Sequence, residues 1–336
     1  MGIHQHLAEF AGLPVEQWTG QPLRPGLCYR ITLTQEEAES SQPRRVPAVP
    51  KPGFFSRLFG RGDAPPPPGP EPLTWTGKFE RFLAQPGVNQ VEGLIVGDWN
   101  EAAQCDSAFV IAAIADARTR LAGLKAVFLG DITMEECEIS WIQQANVSPL
   151  IQALPRLEYF GVRGGESLRV EPLRHDHLRH LVIQTGGLDA AVVEGICRSQ
   201  LPALEHLELW LGTDYYGANV EIRHLQPILE GKVFPQLRYL GLSNSDKQDE
   251  IAAAVAGAPV LGSLRTLDLS KGTLTDAGAG ALEQSQAIHR LEKLDLHYHY
   301  LSEAKMKALA ALGIPVDVSE RQVPEEEDYR YVAVGE

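Results

Sequence analysis

One phrase recurs along most of this chain: a leucine-type residue, two others, a second leucine type, one other, a third. Its tightest copies are Leu204, Leu207 and Leu209; Leu237, Leu240 and Leu242; Leu264, Leu267 and Leu269; and Leu291, Leu294 and Leu296. Looser copies run through Leu178, Leu181 and Ile183; Leu157, Phe160 and Val162; Leu124, Val127 and Leu129; and Val91, Leu94 and Val96. The last two apolar residues of each phrase are two apart, the spacing of a strand with one buried face. Their middle positions fall at 94, 127, 160, 181, 207, 240, 267 and 294, at intervals of 33, 33, 21, 26, 33, 27 and 27. Self-similarity of this kind marks stacked units, each burying its apolar face only against its neighbours.

The expected fold is therefore an α/β leucine-rich repeat solenoid, a right-handed β-α superhelix with parallel strands on its concave face and about eight repeats over residues 73–318. An interval of 27 leaves room for a strand and a returning helix. That helix is readable after Leu274, with Thr275 as N-cap, and again after Leu301, with Ser302 as N-cap. Residues 76–83 read as an opening helix over the first repeat. The interval of 21 between Phe160 and Leu181 holds Gly164, Gly165 and Pro172, so a loop or tight turn, and a bend in the array, are expected there.

Outside the array, residues 1–40 are expected to pack as an N-terminal cap, with a helical turn over His4–Phe10 and a strand over Cys28–Leu33. Prolines crowd residues 41–72, which reads as an extended flexible linker. Within it, Phe54–Phe59 offers a short aromatic and basic island, able to touch a membrane surface weakly or simply to fold back. A strand over Ile314–Val318 closes the stack. In the tail, 319–336, an acidic run precedes Tyr329–Val334, which is expected to dock on the final cap.

Bulk properties narrow the function classes. A formal charge of -14 lacks the clustered Lys and Arg that phosphates demand, which argues against nucleic acid and favours neutral or basic partners. The four cysteines are widely spaced and read as reduced core thiols. No signal peptide and no transmembrane span is evident, so a cytoplasmic, monomeric protein is expected.

The stretch from Leu264 to Leu282 resembles the ribonuclease-inhibitor-like class of leucine-rich repeats. Further phrases resemble a bacterial leucine-rich repeat family of unassigned biochemical role: Glu9–Val15, Gly93–Trp99, Gly130–Ile142 and Tyr329–Val334. The resemblance implies a cytoplasmic protein without recognised enzymatic activity, and it supplies no catalytic residues.

Strand parity locates the candidate surface. If Leu240 and Leu242 face the core, Tyr239, Gly241 and Ser243 face the concave side. The same rule exposes Tyr159, Gly161 and Arg163; His180, Val182 and Gln184; His206, Glu208 and Trp210; Thr266, Asp268 and Ser270; and Lys293, Asp295 and His297. The first strands add a less polar set, Gly93, Ile95, Gly97, Ala126, Phe128 and Gly130. The partner-binding candidates are Tyr159, Arg163, His206, Glu208, Trp210, Tyr239, Asp268, Asp295 and His297: aromatic anchors beside an acidic row.

Two groups raise metal chemistry as the alternative, a metal-dependent enzyme or accessory subunit. One is Asp131, Thr133, Glu135, Glu136 and Glu138, which also reads as acidic residues at a helix start. Asp98, at the equivalent place after the preceding strand, suggests that a turn requires the pair. The other comprises His175, His177 and His180, with His297 and His299. The carboxylates match no EF-hand, neither histidine cluster has an obvious third ligand or cysteine, and no catalytic motif is present, so the expectation is a binding protein with no metal or cofactor.

Overall fold

The computed structural model describes residues 3–34, residue 37, residues 73–325 and residues 329–335. The linker over 41–72, with Phe54–Phe59, lies outside the described residues, as does most of the acidic run. Among the described residues, twelve strands form one sheet in chain order. They are β1 (Glu9–Phe10), β2 (Leu13–Gln17), β3 (Cys28–Ile31), β4 (Gly93–Val96), β5 (Ala126–Leu129), β6 (Tyr159–Arg163), β7 (His180–Gln184), β8 (His206–Gly212), β9 (Tyr239–Ser245), β10 (Thr266–Asp268), β11 (Lys293–Asp295) and β12 (Val316–Asp317). Only β1 and β2 pair antiparallel; every later neighbour is parallel.

The repeat markers become register partners. Leu94, Val127, Phe160, Leu181, Leu207, Leu240, Leu267 and Leu294 stand opposite one another across successive strands, and the row ends on Val316. Their side chains fill one continuous apolar core with those of the helices. The architecture is thus an α/β array of parallel strands alternating with helices, solenoid-like in its chain-ordered stacking. No helix among the described residues is long and apolar enough to cross a membrane.

The segment expected as a cap does more than cover the first repeat. Glu16 and Tyr29 continue the marker row beyond Leu94, so β2 and β3 add two strands to the sheet. The helical turn expected over His4–Phe10 does not form; this stretch is extended and ends in β1. Helix α1 (Trp75–Leu83), capped by Thr74, closes the end of the core with Trp75, Phe79 and Phe82 against Trp18 and Tyr29.

Each later connection carries one helix except one: α2 (Ala108–Asp116), α3 (Ser148–Ala153), α4 (Ala190–Cys197), α5 (Ile222–Leu229), α6 (Gln248–Ala256), α7 (Asp276–Gln284) and α8 (Glu303–Ala310). The exception is the 21-residue interval between β6 and β7. There Leu168, Val170 and Leu173 bury themselves without a helix, and short bridges such as Asn146 to Arg169 replace it. The N-caps Thr275 and Ser302 form as expected, accepting from the amides of Ala277 and Lys305. The cap is shared between repeats: Asp249 of α6 accepts from the amides of Thr275 and Gly278 and from the Thr275 hydroxyl.

All four cysteines are free thiols. Burial pushes Cys28 up to about 12, and Cys137 and Cys197 to about 11. Cys105 departs from the core expectation: it is exposed.

Candidate functional site

The face of the sheet opposite the helices is only partly open. Over its first strands, the expected open set of Gly93, Ile95, Gly97, Ala126, Phe128 and Gly130 is buried. Phe10 of β1 closes over Cys28, Ile95, Ala126 and Phe128. The Phe128 ring lies across Gly161, where a Cβ would meet it at 2.4 Å.

This N-terminal cover is clasped by Asp131, whose side chain is fully buried. Arg30 donates to Asp131 Oδ2 through Nε at 2.7 Å and stands with Nη2 at 2.5 Å from it. Arg163 approaches Oδ1 at 3.4 Å, and the Leu7 amide donates to both oxygens. His6 donates from Nδ1 to the Asp131 carbonyl at 3.0 Å. Burial acts to raise the Asp131 carboxyl, but His6, Arg30 and Arg163 together hold it below its ordinary value. Burial brings the Arg163 guanidinium down to about 10.

Asp131 therefore neither starts a helix nor presents free oxygens to a cation. Glu136 closes a turn by accepting from the Thr133 amide, and Glu135 pairs with His4. Asp98 does close a turn, accepting from the Ala102 amide, so the two aspartates are not equivalent.

At the other end, residues 329–335 form a strap along the carboxyl ends of the strands. Asn244 donates to the Val334 carbonyl at 2.6 Å and accepts from its amide at 2.9 Å. The Ala333 amide donates to the Lys271 carbonyl, and Ser140 donates to the Gly335 carbonyl. The tail thus passes well beyond the final cap on which it was expected to dock. It also covers Trp210, which with Ile139 and Val334 forms a small cluster touched by Ile3. Trp210 is only 5% exposed: parity gives its face correctly, but the tail lies over it.

Between these covers an open strip remains. Tyr159, His180, His206 and Tyr239 are register partners on β6 to β9, and their rings form a ladder. Centroids are 4.9 Å apart for Tyr159 and His180, 5.2 Å for His180 and His206, and 3.8 Å for His206 and Tyr239. Phe10 meets Tyr159 edge-on at 4.7 Å, which ties the ladder to the N-terminal cover. Burial pushes the Tyr159 and Tyr239 hydroxyls up and the His180 imidazole down, so these three stay neutral at physiological pH. A cleft of about 550 Å³ opens beside the ladder, between the β1–β2 turn and Lys125, Glu158 and Arg179.

An acidic row flanks the rings. Trp210 Nε1 donates to Glu208 Oε1 at 2.6 Å, and His206 Nε2 lies 3.5 Å from Glu208 Oε2 without a hydrogen bond of its own. Burial acts to raise Glu208, but His206, Trp210 and the Lys271 charge hold it below its ordinary range. Tyr239 donates to Asp268 Oδ2 at 2.6 Å. Asp295 accepts from Lys293 and His297.

Of the nine expected residues, Tyr159, His206, Glu208, Tyr239, Asp295 and His297 are half-buried on the strip, whereas Arg163, Trp210 and Asp268 are buried. His180 belongs with them as the rung between Tyr159 and His206; its register position was the available signal.

The histidine groups separate. His175 and His299 each donate from Nε2 to a carbonyl, of Leu154 and Val318, and accept an amide at Nδ1, so both are structural. Asp295, His297 and Asp317 bring one ligand atom each within 4.8 Å of one another. Lys293 already supplies a cation there, 2.7 Å from Asp295 and 3.9 Å from Asp317.

No protein-family model matches the chain, and no curated protein matches it. Among solved structures, it is similar to the crystal structure of a Bacteroides fragilis protein, a Northeast Structural Genomics Consortium target. The identity is 30% and the TM-score 0.72, over 78% of this chain and 73% of that one.

Proposed function

This chain belongs to the family of that Bacteroides fragilis protein, and from that premise we propose that it is a non-catalytic leucine-rich repeat scaffold which binds another protein on the helix-free face of its sheet. The single observation that carries the reading is the ring ladder Tyr159, His180, His206 and Tyr239, half-buried between two covers and flanked by Glu208, Asp268 and Asp295. Stacked rings present a large, rigid contact area at small cost in side-chain entropy, and carboxylates beside them orient a partner of neutral or basic surface. The phrase that gives the array its period fits the ribonuclease-inhibitor-like repeat class. A bacterial cytoplasmic setting and a monomeric state complete the proposal.

Capture from an extract of the source organism tests it, comparing wild type with a His180→Ala, His206→Ala double variant of unchanged circular dichroism. The proposed partner is retained by wild type and by an Arg290→Ala control, and is lost from the double variant. An identical set of proteins on all three would refute binding through the ladder.

A further inference from the structure

A second concavity lies away from the ladder, where the strap meets the loops that follow β8 and β9. Its volume is about 400 Å³. One wall comes from the body of the array, Asp214, Tyr215, Tyr216 and Asp246; the other from the strap, including Tyr329 and Tyr331. Tyr215 is 84% exposed, yet its ring stands edge-on to Tyr216 at 4.9 Å rather than packing into the core. Tyr329 and Tyr331 make a similar edge contact at 4.7 Å and remain 59% and 49% exposed. Four phenol rings thus line a space that the described residues leave unfilled.

The charge there is negative. Asp246 accepts from the Asp214 amide at 3.1 Å, and neither carboxylate has an ion-pair partner among the described residues. Burial raises the Asp246 carboxyl, and the neighbouring Asp214 charge adds to it. Thr213 Oγ1, on the same wall, is buried and makes no hydrogen bond. Arg330 also lines the space, with its guanidinium carbon 5.9 Å from the centroid of the Tyr300 ring.

We propose that this pocket binds an organic cation, an alkylammonium or guanidinium group, held against the tyrosine rings with Asp214 and Asp246 as its counter-charges. Aromatic faces attract cations through the ring quadrupole, and adjacent carboxylates add a charge that a neutral guest of the same shape does not use. The site is separate from the ladder and does not depend on what binds there. Because one wall is the strap, an occupant also holds the chain's end to its body. The same chemistry is offered by a lysine or arginine side chain of a peptide and by a free amine.

Calorimetric titration of the intact protein with four probes tests the proposal: choline, its neutral isostere 3,3-dimethylbutan-1-ol, and the N-acetyl methylamides of lysine and arginine. Cations are expected to bind with dissociation constants on the order of millimolar, and the isostere roughly ten-fold more weakly or not at all. Tyr215→Ala and Asp214→Asn, both at exposed positions, should each weaken the cation by roughly three- to thirty-fold. Tighter binding of either amino-acid amide identifies a peptide side chain as the source, and tighter binding of choline a free amine. Equal affinity for the isostere, no binding of any cation at about 10 mM, or indifference to both substitutions would overturn it.

Discussion

Replacing Asp131 by asparagine would leave the buried guanidinium groups of Arg30 and Arg163 without their shared counter-charge. Breaking a buried pair in this way costs about 3–5 kcal/mol, because the orphaned charge stays out of water. Urea unfolding of Asp131→Asn should show a loss of that size; a loss below about 1 kcal/mol would place the clasp among surface-like pairs. His6 gives the same clasp a pH dependence. Its hydrogen bond to Asp131 raises its pKa above 6.5, despite partial burial. A raised folded value means that its contribution is complete below about pH 6.5 and fades as pH climbs through the folded value. The His6 ring resonance should titrate above 6.5, and protease nicking before β2 should increase over the same range. None of this was legible in the sequence. Arg30 lies 101 positions from Asp131 and Arg163 lies 32, so no local spacing pairs them, and an acidic run after a strand reads most naturally as a helix start.

At the scale of elements, what could be read was what repeats locally. Strand parity and the N-caps Thr275 and Ser302 depend on residues two or three apart, and both formed. The interval without a helix was also visible, through its length and its glycines. Less visible was its consequence for the next helix. Gly195 sits in the middle of α4, where an alanine Cβ would come 1.7 Å from the carbonyl oxygen of Val170, in the helix-free connection. In an exposed helix, glycine to alanine gains about 1 kcal/mol. Here backbone meets backbone, and Gly195→Ala should instead destabilise by about 1–3 kcal/mol, the usual cost of overpacking. A raised melting temperature would show that the connection can move aside. The glycine reads in sequence as a weak helix position; in the fold it lets the array close up where a helix is missing.

For the whole molecule, the leucine phrase accounts for the stack of strands but not for what covers it. Parity exposes Trp210 correctly as a matter of strand geometry, and the tail then buries it from 90 positions beyond Asn244, a contact with no period to announce it. Asn244 has φ 55, so Asn244→Gly keeps the left-handed backbone while removing both bonds to Val334. Hydrogen exchange at residues 329–335 should accelerate by roughly ten-fold or more if each lost bond contributes about 1 kcal/mol, with the strand amides of β4 to β8 unchanged. Equal protection in the variant would mean that the strap is held elsewhere.

The cluster of Ile139, Trp210 and Val334, against which Ile3 packs, has a consequence for how this molecule comes apart. An array whose units touch only their neighbours frays from its ends, one unit at a time. Here the two ends of the described chain pack into the same small cluster around Trp210 and Ile139, so each end unit is stitched across several others. Loss of the last strand is then tied to release at the middle, which makes the array behave less like a stack of coins than like a belt with its buckle fastened.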